Sequence, residues 1–311
     1  MKILIVLLFI SFANLYAGGE GRYSGDFLKI GVGARAASMG GANVAAGKDI
    51  EALFLNPAGL SDLSGLEFLA GHNLWLADTQ QNFVAGGIPL RNFAISFGLN
   101  YLDLPKIKET TKEYPDGTGR FYSASNICAT VGLATKVSKS LSCGGSLNLL
   151  TETIDDVKAD GAFLNLGLIN QPKKSKIRYG AVLTGLPLKS LSFIKEESRP
   201  SCGIRTAVAY IENKVPITFE ADISYFEDEG FSFASGSEYT LGNTMSFRAG
   251  YSTGLTDIGS GVSFGFGFRK DKIEIRYVFV PSEINATHRG LILIGEEKKP
   301  SKKRSKFFLD L

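Results

Sequence analysis

The residues best equipped for chemistry are acids and arginines at alternate positions: Glu220 and Asp222, then Arg248, Arg269, Glu274 and Arg276. Paired carboxylates beside guanidinium groups can perform general acid–base work when a cleft holds them and shifts their pKa values. The rest of the inventory argues against that use. His72 and His288 are the only 2 histidines, so a His-based metal site or a Ser-His-Asp triad lacks its parts. Cys128, Cys143 and Cys202 form an odd set without Cys-x-x-Cys spacing and read as small packing residues. Gly31-x-Gly33 with Gly40-Gly41 has neither the leading strand nor the βαβ pattern of a dinucleotide site. No catalytic residue, metal ligand or cofactor is therefore assigned. The six charges read more simply as a network lining a lumen.

The elements that must position such a network have a period of two. Val262, Phe264, Phe266 and Phe268 alternate with Ser263, Gly265, Gly267 and Arg269. Ile273, Ile275, Tyr277 and Phe279 likewise alternate with Lys272, Glu274 and Arg276, and Phe247 flanks Arg248. One face of each strand is large and apolar while the other is small or charged. Phe247, Phe264, Phe266, Ile275 and Tyr277 should therefore face outward, with the charges inward. A soluble sandwich also alternates, so strand count and turns must decide. Breaking the chain at Gly, Pro, Asn and Asp clusters gives fourteen segments, from 65–76 to 286–297, many longer than soluble strands. The two longest connections, 104–119 and 188–199, are the third and seventh, so both fall on one side. An even strand count and one-sided long loops predict an all-β fold, a 14-stranded antiparallel transmembrane β-barrel, over 65–297. Around the turn near Ser138, Cys128 should lie opposite roughly residue 149, too far from Cys143 to bridge it.

Composition is consistent with this and excludes little else. Mean hydropathy is +0.06 and 21% of residues are charged. A barrel puts only alternate residues into lipid, so its average stays near zero. A net charge of +3 gives no reason to expect a nucleic-acid partner. Lys2, the apolar run from Ile3 to Phe12 and the small residues around Ala17 predict a cleaved secretory signal over 1–17. Gly18 to Ser64 lacks sustained alternation yet carries Phe27, Leu28, Leu53, Phe54 and Leu60. It should fold as a plug inside the barrel, with Asp49 capping a short helix over 50–54 that Asn56-Pro57 ends. Residues 298–311, rich in Lys, are expected to form a basic periplasmic tail.

The run from Phe27 to Ala42, with Asp49 and Asn56-Pro57-Ala58-Gly59-Leu60 after it, resembles the start of PorV/PorQ family outer-membrane proteins. Arg248-Ala249-Gly250-Tyr251 and Tyr277-Val278-Phe279-Val280 extend the likeness toward the C-terminus. That family resembles the fatty-acid transporter FadL, a fourteen-stranded barrel whose N-terminal hatch carries an Asn-Pro-Ala motif. The resemblance implies a hatch (18–64) with Arg35, Asp49, Asn56, Pro57 and Ala58 as its motif residues. It also implies residence in a bacterial outer membrane, in contact with its lipid. The main functional expectation is a type IX-like role in protein secretion or surface attachment, binding secreted cargo or secretion-system components. The alternative is FadL-like passive transport of hydrophobic small molecules. Leu188, Leu191, Phe193 and Ile194 place apolar side chains among charges in the seventh connection, as a partner-binding patch or a lid.

Overall fold

The computed structural model describes residues 23–193, 196–212, 214–253, 261–281 and 286–295. The expected signal peptide, the basic tail and Ile194 lie outside these residues.

Strands form where alternation is sustained, and turns where it breaks. In chain order they are β1 (Glu67–Leu74), β2 (Gln80–Pro89), β3 (Ala94–Asp103), β4 (Ala124–Lys136), β5 (Leu141–Ile154), β6 (Val157–Asn170) and β7 (Ile177–Lys189). They continue as β8 (Gly203–Glu212), β9 (Ile217–Phe226), β10 (Gly230–Leu241), β11 (Met245–Ser252), β12 (Gly261–Lys270), β13 (Ile273–Val280) and β14 (Thr287–Ile294). Each pairs antiparallel with its chain neighbours and β14 pairs with β1, closing a fourteen-stranded barrel without free edges. The turn joining β10 to β11 is Gly242-Asn243, both at positive φ, the geometry that matches strand twist in a tight hairpin.

Alternation sorts the side chains as expected. Phe247, Phe264, Phe266, Ile275 and Tyr277 are 38% to 52% exposed on the outside, whereas Arg248, Glu274 and Arg276 are 3% to 6% exposed inside. So extensive an apolar exterior suits lipid rather than water. Register partners Phe247 and Phe266 lie with ring centroids 5.6 Å apart on that surface. All three cysteines are free, and Cys128 pairs in register with Leu150, one position from the expected partner.

The plug is made of short pieces. A short strand, Tyr23–Ser24, precedes a 3-10 turn (Asp26–Ile30), α1 (Ala34–Ser38), α2 (Ala52–Leu55) and a second 3-10 helix (Pro57–Asp62). The expected helix over 50–54 is corrected: α2 starts at Ala52, with Glu51 at its N-cap and no side-chain cap. Asp49 still accepts from the Glu51 amide two residues on, at 3.1 Å, as the expected cap would, but within the turn that leads into α2, and it also accepts from Arg276 at 2.8 Å. Asn56 does end the helix, in extended geometry before Pro57.

Two features of the longest connections depart from the sequence reading. Leu188 belongs to the barrel wall, because register shifts between Leu183 and Leu186 and between Pro187 and Lys189 carry β7 past the proline. Pro is tolerated in a strand where a bulge releases it from the ladder. Beyond it, Leu191–Phe193 pairs with Glu196–Pro200, which pairs in parallel with Tyr23–Ser24. The start of the plug is thus stitched to the seventh connection. In the third connection Ile107–Lys108 pairs with Phe121–Tyr122, a ribbon with no alternation long enough to announce it.

Candidate functional site: the seated hatch and the cavity above it

The plug crosses the lumen from the long-loop end to the short-turn end. At the top, Lys29 pairs with Asp26, Asp228 and Glu229, and the Gly25 amide donates to Glu152 at 2.7 Å. Burial would lower the Lys29 ammonium, but the three carboxylates outweigh it and raise its pKa. At the bottom, Asp62 pairs with Arg178 at 2.7 Å and Lys136 at 2.9 Å.

Between these ends, wall side chains take up hatch backbone groups that no regular structure satisfies. Glu220 accepts from the Ala45 and Ala46 amides at 2.6 and 3.1 Å, and Asp222 accepts from the Asn43 and Val44 amides. Glu67 accepts from the Ile50 amide, and Arg289 donates to the Gly33 and Ile30 carbonyls. Buried backbone groups need such partners, and the wall supplies them.

The ionic part of the seat is two linked clusters. Arg276 joins Asp49 (2.8 Å), Glu51 (2.6 Å) and Glu274 (2.6 Å), and Glu274 also meets Arg269 and Arg248. Glu238 bridges Arg35 of the hatch at 2.9 Å and Arg248 of the wall at 2.5 Å. Burial pushes the Glu51 carboxyl upward and Asp49 adds to this, while Arg276 opposes both. Glu51 is the centre of the seat, since it also accepts from the Ala34 and Arg35 amides.

Asn56 is fully buried and donates to the Val44 carbonyl at 2.8 Å and, on the wall, to Leu168 at 3.3 Å and Ala181 at 3.5 Å. Its oxygen accepts from the Ala58 amide at 3.2 Å, turning Pro57 and Ala58 against β5. The facing wall residues Gly144, Gly167 and Gly180 leave the room, since a Cβ on any of them would overlap the hatch. On the outside of that same thin wall, Leu133, Leu166, Leu168 and Leu183 border an apolar depression of about 810 Å³. Replacing Asn56 by Ala strands buried carbonyls at a cost of about 1–3 kcal/mol. Dye uptake through reconstituted protein should rise while the barrel still assembles; unchanged uptake would mean that Asn56 does not hold the plug.

All the sequence-assigned hatch and lumen residues therefore meet in one seat, from Arg35 and Asp49 to Asn56, Pro57 and Ala58, and from Glu220 to Arg276. The outer-loop residues are placed apart: Leu191 turns inward into the cluster of Phe27, Leu150 and Phe163, Phe193 packs beside it, and Leu188 stays exposed at 59%. Sequence reasoning missed Glu51, Glu67, Arg178, Arg205, Glu238 and Arg289. For the wall members the inward parity of their strands was the available signal.

Asp62 gives the seat a pH dependence. Burial would raise its carboxyl, but Arg178 and Lys136 prevail and hold it below the usual carboxylate value. A depressed folded pKa means this contribution is complete above the unfolded value of about 3.9 and fades as pH falls through the folded one. Proteolytic release of the hatch should increase below about pH 4, and Asp62→Asn should remove that part of the dependence.

Above the seat lies a cavity of about 290 Å³, bounded by Leu28, Ile30 and Phe54 of the hatch and by Cys128, Phe163 and Asn100 of the wall. Its size is at the small end of ligand pockets. Among the described residues no group of three or more His, Cys, Asp and Glu could hold a metal ion.

No family model matches the chain, and no curated protein matches it by sequence. Solved structures do share its architecture. The toluene transporter TbuX of Ralstonia pickettii aligns with a TM-score of 0.64 at 14% identity, over 86% of this chain and 98% of that one. The Pseudomonas putida toluene transporter TodX aligns with a TM-score of 0.64 at 15% identity, over 86% and 98%. A Pseudomonas aeruginosa FadL homologue aligns with a TM-score of 0.55 at 11% identity, over 84% and 97%. The chain thus has the fold of FadL-like outer-membrane barrels, a fold it shares with two toluene transporters.

Proposed function

We propose that the protein is a passive outer-membrane conduit for small hydrophobic molecules, with the hatch as its gate. The observation that carries this is the partly apolar cavity enclosed between hatch and wall, which suits an apolar guest of modest size. That two of the structural neighbours are toluene transporters favours the same class of cargo. Leu191–Phe193 and Glu196–Pro200 act as the lid, since Leu191 already packs on Phe27 and Phe163. Release is proposed sideways, through the thin glycine wall behind Asn56, into the lipid against the outer depression. The secretion expectation, which rested on the likeness to PorV, gains no support from these neighbours, and the inward turn of Leu191 removes part of the patch a cargo protein would bind.

The test is uptake of labelled toluene by a host whose outer membrane lacks such channels. Expression of the chain should raise uptake severalfold, and deletion of 190–195 should change uptake while surface display of secreted proteins in the native cell stays intact. Unaltered uptake together with lost display would return the secretion reading to first place.

A further inference from the structure

One wall of the cavity carries a chain of amides whose hydrogen bonding is incomplete in a directional way. Asn73 on β1, Gln81 on β2 and Asn100 on β3 face inward and are at most 1% exposed. Asn73 Nδ2 donates to Gln81 Oε1 at 3.1 Å, and Gln81 Nε2 donates to Asn100 Oδ1 at 3.1 Å. Among the described residues the two ends of this chain, Asn73 Oδ1 and Asn100 Nδ2, have no partner.

An amide's oxygen and nitrogen are assigned from their partners, so such a chain has two consistent polarities. Arg289 chooses between them. It stands in register with Asn73 across the β14–β1 pair, it can only donate, and its Nε is itself unpartnered. Asn73 Oδ1, also without a partner among the described residues, is the complementary end, although the two atoms do not bond. Gln81 and Asn100 then follow, and Asn100, which lines the cavity, is left presenting an N–H. The neighbouring polar groups on this wall are engaged to different degrees. Thr130 donates to Asn148 at 2.9 Å, Asn148 donates to Ser146, and Asn165 accepts from the Gly185 amide at 3.0 Å.

Resting on the conduit reading, we infer that the preferred cargo is an apolar molecule carrying one uncharged hydrogen-bond acceptor, such as an ether, ester or ketone oxygen, which Asn100 Nδ2 receives. A pure hydrocarbon leaves that donor unpaired. A carboxylate would need charge compensation: Lys29 is held by three acids and Arg205 by Asp222 and the Gly41 carbonyl, while Arg289 donates to two neutral hatch carbonyls. Arg205 Nε remains unpartnered, so a carboxylate belongs among the ligands tested.

Trp75 is the chain's single tryptophan and lines the cavity, so its fluorescence reports occupancy in the full-length protein. Methylcyclohexane, cyclohexyl methyl ether and cyclohexanecarboxylate form a set of similar shape, titrated with each affinity corrected for the ligand's partition from water into alkane. The ether should bind about tenfold more tightly than the hydrocarbon, as pairing a buried donor implies. Asn100→Leu should abolish that preference. Equal binding of ether and hydrocarbon by the unaltered protein overturns the inference even if the variant fails to fold, and so does a preference that survives Asn100→Leu. Tightest binding of the carboxylate overturns the assignment of an uncharged cargo. Failure of all three ligands to bind removes the conduit reading, and the inference with it, whereas hydrocarbon binding without selectivity removes the inference alone.

Discussion

Replacing Arg276 by Met is expected to unseat the hatch and leave a closed barrel. Arg276 is 3% exposed and is the one side chain that touches Asp49 and Glu51 of the hatch and Glu274 of the wall together. Glu274 keeps Arg248 and Arg269, but Asp49 and Glu51 each lose a buried ion-pair partner. Removing one member of a buried ion pair costs about 3–5 kcal/mol, because the remaining charge is left uncompensated. That loss falls on the hatch, since the β12–β13–β14 backbone ladder does not involve this side chain. Limited proteolysis should then release the N-terminal segment, and single-channel conductance should rise. Adding Glu51→Gln should recover part of the loss, as coupled neighbours do. Equal protease resistance of variant and parent would show that the seat is held elsewhere.

The second large effect is expected on the other face of the same wall. Phe266 sits at the middle of β12, 38% exposed and against Phe247. An arginine there near the bilayer midplane should cost about 2–4 kcal/mol in folding into lipid vesicles. Arg269→Phe is the matched control, as it removes one of the arginines on Glu274 without touching the lipid surface. Greater damage from Arg269→Phe than from Phe266→Arg would reverse the assignment of the two faces.

The barrel could be read from sequence because each strand writes its two faces in alternate letters. Phe264-Gly265-Phe266 and Glu274-Ile275-Arg276 reveal inside and outside before any contact is known. The hatch has no such period. Glu51 sits among Ile50, Ala52 and Leu53 and looks like an exposed helix residue; only its tertiary contact with Arg276 makes it the centre of the seat. Glu238 lies in a stretch where inward positions are Ser232, Ala234 and Gly236, so its strand alone gave no hint of a charge cluster. The three-stranded sheet of the seventh connection was illegible for a different reason. Its third strand, Tyr23–Ser24, comes from the far end of the chain, and no local pattern encodes a pairing over that separation.

The placing of the seat's arginines has a consequence for assembly. Arg276 and Arg289 belong to β13 and β14, the final hairpin, while the groups they hold lie in the plug near the opposite end of the chain. The same hairpin supplies the strand that closes the seam with β1. Zipping that seam therefore brings the final lock of the plug with it, so a nascent barrel that inserted before its last hairpin would carry Asp49 and Glu51 into the lumen without their counter-ion. Such an intermediate bears the cost of loop closure and of stranded charge together. Closing and plugging become one late, cooperative event, and the membrane is not exposed to an open, unplugged pore along the way.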